Sequence, residues 1–545
     1  MKLRFFYIQT LPLLLAAAVV FLASCKKDDP NEGLDSPRLF KPSGISVRTT
    51  DTSATISWTA PILSEGQLLT YTIDLSQDST FATTDHSFQS DTTALTIKAA
   101  ELTLRQKYYV RIMANAFENQ PASKWLTGGS FTVIGEQFFL PVRDIELTES
   151  RVTLRWRTTE IFAKLLLTIK GGTAQELLLT PTDLSNGFKE ITGLTSDTLY
   201  SAELFNSTSG KGWLSFRTPK PTVYTVVLNP GDDIVAAVTN AANGDVIGLN
   251  PGVYDVAGAN FAIQQKTITI KSLSNNPADT RINFKEFNLR GSGAGIILEG
   301  IYLDGAPNTA LYFINLTGAA ANNEICDFTQ VKVSNCVVAR TTTSFFRADR
   351  GSNAGDYRMN QVSVRNTLVM DVATTLGYNL FHLDELAVGE VHVSNSTFQN
   401  AGRTLISSTA LLVNRPTITF DYCTINSIGG NNKTVLMDAG SNPVNFNFTN
   451  SIIANTPLPS QTVSNLAVRA TGANTVIVFN NNNSFNFKNG ADVELSFPAG
   501  TTMVGNHKID LGWTAATQDF TLPAGHLLRT VSSAGSAIGD PRWSY

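Results

Sequence analysis

The chain has 545 residues, of which 42% are hydrophobic and 16% charged, so it is long enough for several domains and too sparsely charged for long solvated helices. Its formal net charge of −4 gives no indication of nucleic-acid binding. The frequent Gly, Asn, Thr and Ser residues favour short strands joined by turns, so we expect an all-β protein of several domains.

The first residues have the features of an export signal. Lys2 and Arg4 precede a short apolar stretch at 11–22, which is too short for an ordinary membrane span. The stretch leads into the sequence Leu-Ala-Ser-Cys, which ends at Cys25 and resembles a bacterial lipobox. Residues 1–24 are therefore predicted to be a signal peptide and Cys25 the lipidated residue. The alternative is an ordinary secretory signal with a cysteine at this place by chance.

The polar residues after the lipobox extend this prediction to the cell surface. Residues 26–29 read Lys-Lys-Asp-Asp and resemble the surface-export signal of Bacteroidota lipoproteins. Residues 25–40 also contain Pro and Gly and are predicted to be a flexible tether. The resemblance implies a protein that touches the outer membrane through its lipid anchor only and faces the cell exterior.

Two consecutive segments, residues 41–135 and 136–221, share one pattern of core-forming residues. In each, an early tryptophan is followed by a leucine and, six residues later, by a tyrosine: Trp58, Leu102 and Tyr108, then Trp156, Leu194 and Tyr200. A buried strand tryptophan with a later corner tyrosine is typical of β-sandwiches. Both segments resemble fibronectin type III domains, which implies two spacer modules with these aromatic residues in their cores.

Residues 222–410 are predicted to form the first part of a parallel β-helix. Residues 232–243 have an amphipathic helical pattern, and the sequence Gly-Asp-Val-Ile-Gly-Leu-Asn-Pro-Gly-Val-Tyr follows at 244–254. The two together resemble the N-terminal cap and first coil of pectate-lyase-like proteins, in which a helix covers the open end of the hydrophobic bore. The resemblance implies a right-handed parallel β-helix with an N-terminal capping α-helix.

A five-residue pattern supports the β-helix directly. It reads apolar, variable, apolar, variable, then a small residue or, most often, Asn. Its copies start at residues 268, 296, 331, 362, 391, 418, 446 and 477, and are thus 27–35 residues apart. This period with two-residue alternation predicts coils of several strands, and the Asn positions predict sharp turns. The Asn-rich residues 411–545 are predicted to continue the β-helix to its C-terminal part.

Strand alternation also predicts a ligand surface. The variable positions of the pattern point outward, so Lys332, Arg365 and His392 are expected to form a cationic stripe on one sheet. Arginines between these strands add positive charge, and aromatic residues interleaved with them are expected to stack on sugar rings. The arginines are Arg340, Arg347, Arg350 and Arg358, and the aromatic residues are Phe345, Phe346 and Tyr357. Guanidinium groups bind carboxylates bidentately, so these cations predict a site for an acidic polysaccharide. The alternative is that they only keep the surface soluble.

No cofactor is predicted. One group of residues that is acidic apart from its histidine offers oxygen ligands for Ca²⁺ as an alternative, although its spacing matches no defined calcium-binding loop. This group consists of Asp371, His382, Asp384, Glu385 and Glu390.

The function is inferred from a wider resemblance. A lyase-like β-helix followed by the ending Gly-Ser-Ala-Ile-Gly-Asp-Pro-Arg-Trp at 535–543 is similar to uncharacterised lipoproteins of polysaccharide-utilisation loci, several of them associated with pectin. The resemblance implies a pectin-like or polygalacturonate-like ligand and a SusC/SusD-type transport complex as partner.

Catalysis is not expected, because the Gly-His-Gly tripeptide of β-helix galacturonases does not occur and no hydrolase motif occurs. We therefore expect a binding protein. Two alternatives remain open. One is a polysaccharide lyase acting by β-elimination, with Lys332 or Arg365 as the base, and the other is a structural or adhesive surface protein.

Overall fold

The computed structural model describes residues 38–207, 209–348, 356–409 and 415–545. The predicted signal peptide, Cys25, most of the tether and Arg350 lie outside the described residues. Within the described ranges, no helix is long and apolar enough to cross a membrane. The chain forms two compact units, the first comprising the residues up to Pro141, Leu154–Lys189 and Leu199–Arg217, and the second Val142–Thr153, Glu190–Thr198 and Thr218–Tyr545.

The first module is a sandwich of two antiparallel sheets. Its strands are β1 (Ser43–Thr49), β2 (Ser53–Thr59), β3 (Tyr71–Ser76), β4 (His86–Ser90), β5 (Ala94–Lys98), β6 (Lys107–Ala114) and β7 (Leu126–Thr132). The sheet orders are β1-β2-β5 and β4-β3-β6-β7. Trp58 and Tyr108 are buried, and the Tyr108 hydroxyl accepts a hydrogen bond from the backbone of Thr103 at 3.1 Å. The predicted core roles of this tryptophan and this corner tyrosine are confirmed.

The second module follows the same plan. Its elements are β8 (Arg151–Arg155), β9 (Lys164–Ile169), β10 (Ala174–Leu178), α1 (Pro181–Asn186), β11 (Phe188–Thr192), β12 (Leu199–Phe205) and β13 (Gly210–Arg217). The sheet orders are β10-β9-β12-β13 and β11-β8. Trp156 and Tyr200 are buried, and Tyr200 stacks on Phe216 with 5.5 Å between ring centroids. The predicted core positions are confirmed here too.

The second unit contains three long parallel sheets. Sheet A consists of β14 (Val226–Leu228), β15 (Val246–Leu249), β18 (Thr267–Ser272), β21 (Gly295–Glu299), β24 (Cys326–Ser334), β27 (Tyr357–Arg365), β30 (Leu386–Ser394), β33 (Thr417–Asp421), β36 (Asn445–Thr449) and β39 (Val476–Asn480). Sheet B consists of β16 (Gly252–Asp255), β19 (Thr280–Asn283), β22 (Tyr302–Asp304), β25 (Val337–Thr341), β28 (Leu368–Val372), β31 (Thr397–Ala401), β34 (Thr424–Ile428), β37 (Ile452–Thr456) and β40 (Asn483–Phe487). Sheet C consists of β17 (Phe261–Gln264), β20 (Phe287–Arg290), β23 (Tyr312–Thr317), β26 (Ser344–Arg347), β29 (Phe381–His382), β32 (Ile406–Ser407), β35 (Met437–Gly440) and β38 (Val468–Ala470).

Each coil passes from sheet A to sheet B to sheet C, and inward side chains fill the bore. Phe313, Phe345 and Phe381 are fully buried and follow one another with 5.0 Å between successive ring centroids. The predicted fold class, two fibronectin type III-like sandwiches followed by a capped parallel β-helix, is confirmed.

The capping helix α2 (Ile234–Asn240) closes the first coil. Ile234 and Val238 are buried against the β-helix core, and the Asp233 side chain accepts a hydrogen bond from the Ala236 amide at the helix N-terminus. At the other end, the Lys266 ammonium donates to the carbonyls of Val238, Thr239 and Ala241. The lysine thereby satisfies carbonyls that the end of a helix leaves unpaired.

The turns between sheets A and B explain the asparagines of the five-residue pattern. Asn335, Asn366 and Asn395 have φ angles of 49°, 51° and 51°, a left-handed conformation that Asn adopts more readily than most residues. A ladder of side-chain amides forms elsewhere, where Asn455 donates to Asn426 at 2.8 Å and accepts from Asn486 at 3.0 Å. The predicted turn role is confirmed, whereas an amide ladder occurs at other positions.

The regular strand ladder ends before the C-terminus of the chain. The last β-helix strand ends at Phe487, and the residues after it contain only isolated bridges and two 3-10 helices, Leu527–Arg529 and Pro541–Trp543. This segment packs on the outer face of sheet B, where Leu522, Leu528 and Ile538 bury Ile452. Parallel bridges join Ser496 to Leu466, Thr502 to Val478 and His507 to Asn483, and Leu495 belongs to the β-helix core, so a further coil without regular strands follows Phe487. The predicted C-terminal part at 411–545 therefore contains β-helix coils and, after them, a segment that covers sheet B.

Candidate functional site

The predicted stripe lies on one sheet but not in one column. Lys332 pairs with Ser363 and Ser363 with His392, so the lysine and the histidine share an outward column two rungs apart. Arg365 lies in the neighbouring outward column, between Ser334 and Ser394. The common wall is confirmed, and the binding role of these residues stays a prediction.

Ion pairs neutralise much of the predicted positive charge. Arg365 pairs with Asp144 in the same compact unit, and Arg358 donates to Asp327 through Nη2 at 2.9 Å. Arg340 donates to the fully buried carboxylate of Asp304 at 2.8 Å. The carboxylate partner is 36 residues away in sequence from Arg340, 31 from Arg358 and 221 from Arg365. Such distant partners are not visible in the local sequence around each arginine.

The predicted loop cluster does not assemble. Arg340 lies on sheet B and Arg347 on sheet C, while Arg358 lies on sheet A with the predicted stripe. Phe345, Phe346 and Tyr357 are fully buried, so the prediction that they stack on sugars is wrong. All three are strand residues of sheets C and A, and their side chains belong to the hydrophobic core of the β-helix.

The predicted acidic group is also divided. Asp371 lies on sheet B, where it accepts a hydrogen bond from Asn400, and Glu390 lies on sheet A. His382 and Asp384 remain together at sheet C, with 3.4 Å between Nδ1 and the carboxylate. Among the described residues, no three His, Cys, Asp or Glu side chains come close enough to hold a metal ion. Of this group, Glu390 alone lies on a strand of sheet A, the sheet of Lys332 and Arg365, and the role of either residue as a base stays a prediction.

The outer face of sheet C carries a different arrangement, a continuous column of polar side chains, hereafter the polar column. Strand pairing places one polar residue on each of seven consecutive coils. They are Asn288, Asn315, Arg347, His382, Ser407, Asp438 and Arg469. With strands about 4.8 Å apart, the polar column extends for roughly 29 Å along the helix axis.

Arg347, the third of the seven residues of the polar column, lies between aromatic side chains. Its guanidinium carbon is 5.0 Å from the ring centroid of Tyr312 and 5.0 Å from that of Tyr378. Both distances are within the range of cation–π attraction, which holds the guanidinium in place. Only 8% of Arg347 is exposed, which is unusual for an outward arginine.

His382 lies one rung further along and joins a polar network. Its Nδ1 is 3.3 Å from Ser407 Oγ and 3.3 Å from the Asn379 amide nitrogen, and its ring meets the Tyr378 ring edge-on at 4.9 Å. The side-chain oxygen of Asn379 accepts a hydrogen bond from Arg403 Nε at 2.8 Å. His382 is 5% exposed and Ser407 1%, so this network is shielded from bulk solvent.

The charges of the network influence one another. Burial lowers the pKa of the Arg403 guanidinium, while nearby Asp384 and Asp438 oppose that shift. Arg469 forms two hydrogen bonds of 2.8 Å with Asp438, and they raise the pKa of Arg469. The site therefore contains cations and carboxylates in a partly dehydrated environment, where electrostatic interactions are stronger than in water.

Asn315 of the polar column has an unsatisfied side-chain oxygen. Asn315 is buried and donates to Glu286 at 2.9 Å, but its side-chain oxygen has no hydrogen-bond partner among the described residues. A buried oxygen without a donor is unfavourable for the stability of the fold.

A weak sequence signal for the polar column exists. An apolar residue directly precedes each polar one, for example in Phe346-Arg347, Phe381-His382 and Ile406-Ser407. Two residues are too short a pattern to be recognised among loops of varying length. The signal becomes visible only when the pairing of the strands is known.

Comparison with known proteins places part of the chain in a family of domains. Residues 40–128 match the family model "Fibronectin type III domain". No curated protein matches the chain. A solved segment of two fibronectin type III domains from chicken tenascin is 15% identical, with 32% of this chain and 97% of that one covered and a TM-score of 0.17. The alginate lyase AlyGC of family PL6 is also 15% identical, with 54% of this chain and 41% of that one covered and a TM-score of 0.32.

Proposed function

We propose that the polar column binds a linear polysaccharide that carries carboxylate groups, such as a pectin-like polyuronate. The observation that carries the proposal is the guanidinium of Arg347, which contacts two tyrosine rings and adjoins the network of His382. A polymer lying along the helix axis would meet a new side chain about every 4.8 Å. A guanidinium can bind a carboxylate through two parallel hydrogen bonds.

The burial of these groups supports a functional role. Burying a polar network away from water destabilises a fold unless its members are hydrogen-bonded to one another. A buried polar network therefore calls for an explanation other than stability. The core does not need it, because Phe345 and Phe381 already close the bore beneath Arg347 and His382. Ligand binding is the reason that we propose for keeping this network.

Affinity electrophoresis of the full chain tests this proposal. We expect polygalacturonate or alginate in the gel to retard the protein, a neutral galactan to have no effect, and added salt to weaken the retardation. Arg347→Ala should lose the retardation, and Arg358→Ala, which removes an ion-paired arginine of sheet A, should keep it. If no polysaccharide retards the protein, a structural or adhesive role replaces this proposal. Retardation of Arg347→Ala equal to that of the unmodified protein would exclude the polar column.

We also propose that Cys25 is lipidated and that the protein faces the exterior of the outer membrane beside a SusC/SusD-type transport complex. The lipobox-like residues before Cys25 and the Lys-Lys-Asp-Asp sequence after it support this proposal. We expect Cys25→Ser to release the protein from membranes, and we expect protease added to intact cells to digest the unmodified protein. Membrane association that persists in the variant would contradict the anchor.

A second candidate function is a polysaccharide lyase. It is favoured by the proximity of His382, Tyr378 and Arg347, because β-elimination needs an acid and a base near the α-proton and a cation at the carboxylate. Incubation with polyuronate should then produce ultraviolet absorbance from unsaturated products, which His382→Ala should abolish while binding remains. Binding without absorbance would leave the binding protein as the function.

A further inference from the structure

The outer face of sheet B contains an apolar groove on its first coils, hereafter the sheet B groove. Its volume is about 460 Å³, and it is lined by Pro277, Ala278, Arg281, Tyr302, Val337, Leu368 and Met370. Tyr302, Val337 and Leu368 are consecutive partners in one outward column, so the groove follows the helix axis. A groove of this size is within the range of small-molecule sites, which are mostly apolar with a few polar groups.

The same outward column is covered further along the sheet. It continues from Leu368 through Thr397 and Thr424 to Ile452. Ile452 is buried by the C-terminal segment, and Trp543 donates a hydrogen bond to Thr397 at 2.7 Å. The C-terminal segment thus covers the apolar side chain of Ile452 on this face. It does not cover Val337 and Leu368, which are only half-buried.

A fixed pair of cations lies at one end of the sheet B groove. Arg281 stacks on Tyr302, with 5.1 Å between its guanidinium carbon and the ring centroid, and forms an ion pair with Asp304. Arg340 binds the same carboxylate, which is fully buried and also accepts from the Ala306 amide at 3.2 Å. Two guanidiniums share one carboxylate, so one positive charge remains and its position is fixed.

We propose that the sheet B groove binds an amphiphilic organic carboxylate, a molecule with an apolar body and one anionic group. The apolar body would cover Val337, Leu368 and Met370, and the carboxylate would accept hydrogen bonds from Arg281. A sugar fits poorly, because Arg281 is the only lining residue with a strongly polar side chain and most hydroxyls would lose water without gaining partners. This inference is independent of the polar column on sheet C.

Isothermal titration of the full chain with 4-phenylbutyrate, its amide and galacturonate tests the inference. We expect saturable binding of 4-phenylbutyrate, about tenfold weaker binding of the uncharged amide, and no binding of galacturonate to a variant in which Arg347→Ala has disabled the polar column. Arg281→Gln should also weaken 4-phenylbutyrate about tenfold. Arg358→Gln removes an exposed ion-paired arginine outside the groove and should leave the affinity for 4-phenylbutyrate unchanged.

Leu368→Gln provides a test that does not disturb Asp304. This side chain is half-buried on the outer face, so the variant should fold and still bind 4-phenylbutyrate several-fold more weakly. Absence of saturable binding at millimolar concentration, equal affinity for the acid and the amide, or full affinity of Leu368→Gln would each overturn the proposal.

Discussion

The outer faces of sheets A and C show two ways in which polar residues occupy one solenoid. On sheet A, Arg358 and Arg365 are exposed and each is paired with a single carboxylate, an arrangement that contributes little to stability or binding. On sheet C, Arg347 and His382 are nearly buried and belong to a network of aromatic and polar side chains. The proposed site on sheet C therefore rests on the burial and mutual contacts of polar groups, and not on the number of charges on a face.

The largest expected effect concerns the inward side of sheet C. Phe381→Ala removes a fully buried ring that contacts Phe345, Phe398 and Phe420, so we expect it to lower the free energy of unfolding of the β-helix by about 3–5 kcal/mol. His382→Ala, one residue along the same strand, should have a clearly smaller effect. Urea unfolding followed by circular dichroism compares the two. Equal losses would mean that the polar network is part of the structural core.

The next effect distinguishes the two outer faces directly. Arg347→Ala should weaken polyuronate binding by about 1.5–3 kcal/mol, the usual contribution of hydrogen bonds to a charged group. Arg365→Ala should change the affinity by less than about 0.5 kcal/mol, because its partner is Asp144. Titration calorimetry with a polygalacturonate oligosaccharide measures both. A larger loss of affinity in Arg365→Ala than in Arg347→Ala would mean that the polysaccharide binds to sheet A.

A smaller effect is expected at the turns between sheets A and B. Asn366 has a φ of 51°, so Asn366→Ala should lower the free energy of unfolding by about 1 kcal/mol, while Asn366→Gly should be close to neutral. Thermal unfolding of the two variants provides the measurement. An alanine variant as stable as the glycine variant would show that backbone strain is not what selects asparagine here.

The smallest effect concerns an isolated surface pair. Arg358→Ala removes the exposed pair with Asp327 and should change stability by no more than about 1 kcal/mol, with the difference diminishing at high salt. Chemical unfolding at two ionic strengths measures it. A loss of several kcal/mol that persists in salt would mean that sheet A carries a network comparable to that of sheet C.

The sequence could predict sheet A because its strands are long enough to carry a recognisable pattern. β24 and β27 have nine residues each, and the turn asparagines at 335 and 366 mark where they end. Sheet C could not be predicted in this way, because β29 and β32 have two residues each and loops of different length separate them. The ion pair of Arg365 with Asp144 joins residues 221 apart, a contact that no local pattern reveals.

A crystal structure of the full chain with a bound polygalacturonate oligosaccharide tests the central claim most directly. We predict that the sugar chain lies across the strands of sheet C, with a carboxylate within hydrogen-bond distance of the Arg347 guanidinium. A sugar chain bound instead over Lys332 and His392 on sheet A would contradict the assignment.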